Sequence, residues 1–305
     1  MREIVSPVTD LKNIDFEKNI SIKKIIKDYK KNYAIDVSKF FIGLKKIELF
    51  KCKDTGYRFF YPFNVSGDSH FYEHFQKFDW YYMPWKWEHE VTLKYLKNKS
   101  SVLEVGCAKG AFIKKINELF SLSKTVGLEL NETAKAKTEK WEILNETIEE
   151  FAKRNEQFDI VCSYQVLEHI SSIKSFLQSK IECLKIGGKL IISVPNNESF
   201  LKNIDNCLNM PPHHMGLWDE KSLKALTNYF PLKVEEVLFE PLQNYHIDQY
   251  VNSLYYSKYT SLTARKIIRK LHRIFGIYNK RIQKIEAEKE NLLGHSIMVV
   301  FEKIA

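Results

Sequence analysis

From Ser101 onward, apolar residues arrive in short runs separated by amphipathic stretches. SVLEVGC reads as a buried strand, AFIKKINELF as a helix, TVGLEL as a strand, ETAKAKTEK as a helical stretch, and WEIL and FDIVCSY as two more strands. The alternation continues through a helix over Ile173 to Leu184, a stop at Gly187 and Gly188, the strand KLIISV, the helix KSLKALTNY, the strand LKVEEVLF and a closing HSIMVVFEK. Strands alternating with helices predict an α/β fold on a parallel sheet of about seven strands, a usual size for an open sheet.

Two segments lie outside this rhythm. Residues 1–98 carry a Lys-rich SIKKIIKDYKKNYAIDV, then FKCKDTGYRFFYPF, then the aromatic run FYEHFQKFDWYYMPWKWEHE, and are expected to form an N-terminal cap on a core of residues 99–240. Residues 241–293 separate the last two strands where a short hairpin would suffice, so they read as a helical insertion over the substrate side, with 294–305 as the final strand. In the insertion, Ala264, Ile267, Ile268, Leu271, Ile274 and Phe275 share one helical face, and Arg265, Lys266, Arg269, Lys270 and Arg273 lie largely on the other. No Asp or Glu occurs between Asp248 and Glu286. Two readings follow: a basic helix for an anionic membrane or a phosphate-bearing substrate, or a lid whose apolar face packs on the core while its cations stay in water.

Charge widens the partner list rather than narrowing it. Lys and Arg total 47 against 38 Asp and Glu in 305 residues, a formal +9 that favours anionic partners without choosing among them. No run approaches the roughly 18 to 20 apolar residues of a membrane span, and the first residues lack the apolar stretch of a signal peptide. A cytoplasmic location is expected, with peripheral contact at the inner membrane face if the basic helix docks there. Cys52, Cys107, Cys162, Cys183 and Cys207 are odd in number, scattered and never paired as C-x-x-C, a pattern that suggests neither a disulfide framework nor a zinc knuckle and predicts reduced thiols.

The chemistry concentrates at the end of the first core strand. Glu104-Val-Gly106-Cys-Ala-Lys-Gly110 is a glycine turn opening into a helix, where a ligand can approach backbone that a Cβ would shield. Ala108 and Ala111 hold two glycine positions of G-x-G-x-x-G, which weakens a dinucleotide oxidoreductase. The next strand ends in Glu129, an acid placed to accept hydrogen bonds from ribose hydroxyls and so to suit an adenosine-type ligand.

LEVGCAKG, GLEL, FDIVCSYQVLEHI, LKIGGKLIISVPN and a closing strand together resemble the class I S-adenosylmethionine-dependent methyltransferases. The likeness is to the branch of ubiquinone-biosynthesis O-methyltransferases and bacterial surface-glycan methyltransferases, over about Ser101 to Glu240 and His295 to Lys303. It implies a doubly wound, Rossmann-like seven-stranded sheet with its last strand antiparallel, and S-adenosylmethionine as cofactor. Glu104 would hold the methionine ammonium, Gly106, Cys107, Ala108, Lys109 and Gly110 would wrap its carboxylate and ribose, and Glu129 with Leu130 would border the ribose. Thr147 and Ile148 would flank the adenine, and Tyr164 and Gln165 would face the methyl group. The chain departs from the family at Ala108, where Gly is frequent, and in lacking the acid frequent near Thr147.

The ubiquinone enzymes carry Glu-x-x-Glu-His after the fourth strand, implicated in binding a divalent ion; here Gln165 replaces the first Glu before Glu168 and His169. A neutral amide removes charge that a hard cation needs, so no obligatory metal is expected. If a hydroxyl acceptor must lose its proton, the candidate bases are His169, His213 and His214, since imidazole titrates near neutrality. Tyr82, Trp85 and Lys86 are the residues of the aromatic run assigned to the substrate, although such density also suits packing beneath a leading helix.

The expected reaction is O-methylation of a small-molecule or glycan acceptor, lipid-linked forms included. The competing readings are an RNA or protein methyltransferase and an inactive cofactor-binding scaffold at membranes. Tyr164-Gln-Val-Leu-Glu stands where amino-methylating enzymes of nucleic acids often carry Pro-Pro-aromatic, which lowers nucleic acid among the partners.

Overall fold

A computed structural model describes residues 4–81, 83–259 and 261–305. Its strands are β1 Ile14–Ile20, β2 Ile47–Cys52, β3 Arg58–Tyr61, β4 Ser101–Val105, β5 Lys124–Leu128, β6 Ala136–Lys137, β7 Glu142–Leu144, β8 Phe158–Tyr164, β9 Leu184–Pro195, β10 Gly216–Leu217, β11 Leu232–Pro241 and β12 Leu293–Lys303. Its α-helices are α1 Ile22–Tyr33, α2 Ser69–Phe75, α3 Trp87–Thr92, α4 Ala111–Leu119, α5 Ile148–Ala152, α6 Ile173–Glu182, α7 Glu220–Lys224, α8 Ile247–Lys258, α9 Leu262–Ile274 and α10 Ile277–Glu288.

The central sheet runs β11-β12-β9-β8-β4-β5-β7-β6. The strands β7, β5, β4, β8 and β9 are parallel and covered on both faces, which is why they read as continuous apolar runs. β12 enters antiparallel between β9 and β11, with Ile297 to Phe301 buried. The chain winds outward from β4 to β7, then returns to β8 on the other side of β4. Ligands of open α/β sheets bind at the carboxyl ends of strands at such a reversal.

One element differs from its sequence reading. ETAKAKTEK forms a single 3-10 turn over Glu132–Ala134 and then the two-residue edge strand β6, antiparallel to β7, so the sheet has eight strands rather than seven. The stretch has no stripe of large apolar residues, and a short helix with nothing to bury does not repay its nucleation.

The N-terminal region builds a second sheet, β1-β2-β3-β10, whose last strand comes from the loop after β9. Beside it, Gly216 lies flush against Tyr57, with no room for a Cβ, and Trp218 packs on the Tyr57 ring at 4.0 Å. The aromatic run divides by side: Phe71 and Phe75 of α2 are buried in a cluster with Tyr29 of α1, while Tyr72, Trp80 and Tyr81 face the main cavity. Between β11 and β12, α8 packs Val251 and Tyr255 with Tyr278 of α10 and with Phe200 and Leu201 of the core. All five cysteines are buried free thiols. Among the described residues, no helix is long and apolar enough to cross a membrane.

Candidate active site

A continuous cavity of about 990 Å³ opens at the carboxyl ends of β4, β5 and β8, large enough for a cofactor with an acceptor beside it. Its first end is the turn after β4. Gly106 (φ 78°), Ala108 (φ 47°) and Gly110 (φ 72°) all take left-handed backbone, so Ala108 holds a conformation that costs an L residue energy. The turn is tied to the next strand: the Gly106 and Cys107 amides donate to the Leu128 carbonyl at 2.8 and 3.1 Å. The Ala108 amide donates to Glu129 Oε2 at 2.9 Å, and the Asn131 amide donates to Glu129 Oε1 at 3.0 Å. Two backbone donors therefore aim the Glu129 carboxylate before any ligand arrives.

Glu104, paired in register with Gly127 on one side and Cys162 on the other, is buried at the cavity wall. Its Oε2 has no hydrogen-bond partner among the described residues. Burial, with the Glu129 charge adding to it, pushes its carboxyl up to about 8. A buried acceptor without a donor, beside a turn that exposes backbone, fits a ligand bringing an ammonium group and hydroxyls.

Most of the remaining cofactor-side candidates border the cavity: Cys107, Lys109, exposed Leu130, Thr147, buried Ile148, Tyr164 and Gln165. Three readings change. Gly110 does not line the cavity; a Cβ there would meet Ile143 Cδ1 at 2.5 Å, so this glycine serves the turn into α4. Thr147 is the N-cap of α5, its Oγ1 accepting from the Glu150 amide at 3.2 Å. An acid does stand near Thr147: Glu146, one residue earlier, lines the cavity while Arg154 donates to it at 2.7 Å. Tyr164 presents its ring to the cavity but donates its hydroxyl to Thr92 Oγ1 at 3.0 Å, away from the site. Gln165 donates from Nε2 to Ser296 Oγ at 3.2 Å.

At the other end stand three imidazoles. The Met215 amide donates to the Glu168 carbonyl at 2.7 Å, which draws the loop before β10 against the turn after β8 and brings His213 and His214 to His169. One ring nitrogen of each lies within 4.8 Å of the others, a donor set suited to a borderline ion such as Zn²⁺ rather than Mg²⁺. The hydrogen bonds assign the tautomers. His169 Nδ1 lies 2.6 Å from the His213 carbonyl, which can only accept, so Nδ1 carries the proton and Nε2 the lone pair. His214 Nδ1 likewise donates to Asn209 Oδ1 at 3.0 Å. His213 is spent on both sides: Nδ1 donates to the Leu208 carbonyl at 2.9 Å, and Nε2 accepts from the Tyr81 hydroxyl at 2.6 Å.

Burial, followed by the charge of Lys86 among smaller effects, brings His169 down to about 4, and burial holds His213 and His214 well below the usual range. All three rings are therefore neutral near pH 7.

Glu168, noted in the sequence as part of the Gln165-Val-Leu-Glu168-His169 motif, was given no site role there. It is buried, its Oε2 is unpartnered, its Oε1 lies 3.9 Å from His169 Nε2, and burial pushes its carboxyl up to about 8. Its place in that motif, next to His169 and just after a strand, was the available signal. Of the assigned substrate residues, Lys86 lines the cavity and has no salt-bridge partner among the described residues. Trp85 does not line it: its ring packs toward His89 and Phe112, and its Nε1 donates to Glu90 Oε2 at 3.0 Å. Tyr82 lies outside the described residues.

A family model described as a methyltransferase domain matches residues 80–237. The chain is 31% identical over 157 residues to the mitochondrial ubiquinone biosynthesis O-methyltransferase of Dictyostelium discoideum, covering 43% of this chain and 48% of that one. It is 26% identical over 161 residues to a protein of Mycolicibacterium smegmatis named a probable S-adenosylmethionine-dependent methyltransferase, covering 50% of this chain and 61% of that one. The chain thus spans less than two thirds of the length of either relative. A solved methyltransferase structure from Archaeoglobus fulgidus aligns over 77% of this chain and 100% of its own, at 18% identity and a TM-score of 0.47.

Proposed function

The chain belongs to the class I S-adenosylmethionine-dependent methyltransferases, and from that premise we propose that it methylates a hydroxyl oxygen of a small-molecule or glycan acceptor, lipid-linked forms included. The observation that carries the reading is the single cavity with a cofactor turn at one end and neutral imidazoles beside a buried carboxyl at the other. A lipid-linked acceptor would bring the protein to the inner face of an anionic membrane, at its periphery.

When bound, S-adenosylmethionine supplies a methyl group made electrophilic by a positively charged sulfur. Glu104 would hold its ammonium and Glu129 its ribose, while Thr147 and Ile148 would flank the adenine. The remaining work belongs to the acceptor end. An alcohol is a weak nucleophile until a base takes its proton. His169 Nε2 carries the lone pair, its ring is held by the His213 carbonyl, and Glu168, whose carboxyl burial keeps largely protonated near neutrality, stands with Oε1 3.9 Å away. His214 Nε2 is the second candidate, and His213 orients the pair. Lys86 offers a cation to an acceptor bearing a phosphate or carboxylate. This reading requires no metal, because the Gln165 amide is engaged with Ser296 and adds no negative charge.

The test is to incubate the protein with methyl-labelled S-adenosylmethionine and a cell extract, then separate lipid, polysaccharide, small-molecule, RNA and protein pools. Label in one of the first three is expected. Label confined to RNA or protein overturns the acceptor class, and no label despite measured cofactor binding favours an inactive scaffold.

A further inference from the structure

Helix α9 is amphipathic, but it is mounted with its apolar side outward. Its inward side is polar: Arg265 lies over the Tyr256 ring at 4.0 Å, Arg269 Nη1 donates to Asn252 Oδ1 at 3.0 Å, and His272 Nδ1 and the Tyr255 hydroxyl are 2.9 Å apart. Ile268 packs with these against the cluster of α8 and α10. Positions 265, 268, 269 and 272 define one helical face. On the opposite side Ile267, Leu271, Ile274 and Phe275 form a ridge, exposed by 54%, 45%, 66% and 71%. Exposed Lys266, Lys270 and Arg273 line one flank of that ridge. A lid packing its apolar face on the core, one of the two readings of this segment, is therefore not what the fold contains.

We infer that this ridge docks the protein on an anionic lipid bilayer. An interfacial helix needs large apolar residues along one side and Lys or Arg beside them, so that side chains enter the headgroup boundary while cations meet anionic lipid. Between Asp248 and Glu286 there are nine Lys and Arg and no acid, so the local field is positive even with Asp248 4.0 Å from Arg273. That field argues against a second copy of the chain on the ridge, because two such surfaces face to face would repel. The inference deepens the lipid-linked form of the proposed acceptor. α9 sits on α8, and α8 supplies Gln249 to the cavity lining just after Tyr245 and His246. A headgroup hydroxyl and its lipid anchor would meet opposite sides of one helical pair.

The full chain is mixed with phosphatidylcholine vesicles with and without phosphatidylglycerol and centrifuged through a density step, with S-adenosylmethionine binding measured in parallel. Flotation only with phosphatidylglycerol, weakened by salt, is expected. Lys266→Glu with Lys270→Glu removes two cations, each worth about 1 kcal/mol at an anionic surface or roughly fivefold in partition, so at least a ~30-fold loss is expected. Ile267→Ser with Phe275→Ser should also abolish flotation, and all four positions are exposed, so cofactor binding should survive. Absent flotation, or flotation equal on neutral lipid, overturns the inference. So does a dimer in solution that the serine variant dissociates, which would make the ridge an interface between copies. Methyl label confined to RNA or protein with flotation intact would sink the acceptor reading and leave the docking surface standing.

Discussion

Glu104→Gln separates a cofactor carboxylate from a packing residue. In the free protein the Glu104 carboxyl is pushed up to about 8, first by burial and then by Glu129. At pH 7 it is therefore about 90% protonated, whereas pairing with an ammonium requires the ionised form. Binding should release about 0.9 proton per cofactor at pH 7, and Kd should tighten about ninefold from pH 6 to pH 7. The sign follows from the direction of the shift: a carboxyl that titrates high without ligand and low with it makes affinity rise with pH. The same shift makes the free protein lose stability as pH rises from about 4.5 to 8, since the folded state then holds the extra proton. Breaking a buried ion pair costs about 3 to 5 kcal/mol, and the amide avoids about 1.4 kcal/mol of ionisation at pH 7. The net is about 1.6 to 3.6 kcal/mol, a Kd weaker by roughly 15- to 400-fold. Isothermal titration calorimetry at pH 6 and pH 7, in two buffers of different ionisation enthalpy, reads both quantities. A wild-type proton release near zero at pH 7, or a Gln variant that keeps the pH slope, would refute the assignment.

The other expectations bear on the acceptor end and the turn. His169→Gln should lower kcat by roughly 10²- to 10⁴-fold while leaving calorimetric cofactor affinity unchanged, the range for loss of a general base. Because burial holds His169 near 4, wild-type turnover should be flat from neutrality to about pH 5 and fall below it as the ring protonates. Gly110→Ala places a methyl 2.5 Å from Ile143 Cδ1 at φ 72°, and should cost about 1 to 3 kcal/mol by denaturant unfolding, with weaker cofactor binding. Prolonged treatment with EDTA should leave turnover intact; loss restored by Zn²⁺ would instead make His169, His213 and His214 a metal centre.

Much of the core is legible in the amino-acid sequence, because its determinants are local. A strand buried on both faces must be apolar along its length, as in SVLEV and KLIISV, and a turn demanding left-handed backbone selects glycine, as at Gly106 and Gly110. That Glu104 and Glu129 stand at the cavity was legible for the same reason: each sits at a set offset from its own strand end. ETAKAKTEK failed that logic, since helix propensity without an apolar stripe yields to whatever edge lies nearest.

What the sequence by itself determined is therefore the α/β core, the glycine turn after its first strand and the amphipathic character of the segment around residue 267. Tertiary structure alone decided which histidines meet, because His169 and His213 are brought together by pairing between a main-chain amide and carbonyl that leaves no mark on side-chain spacing. It decided that Glu168 faces the cavity and Trp85 does not, since rotation about a loop carries no periodic signal. It also decided the orientation of α9: periodicity reveals that a helix has an apolar face, but stacking of Arg265 on Tyr256 and the bond from Arg269 to Asn252 choose which face turns inward.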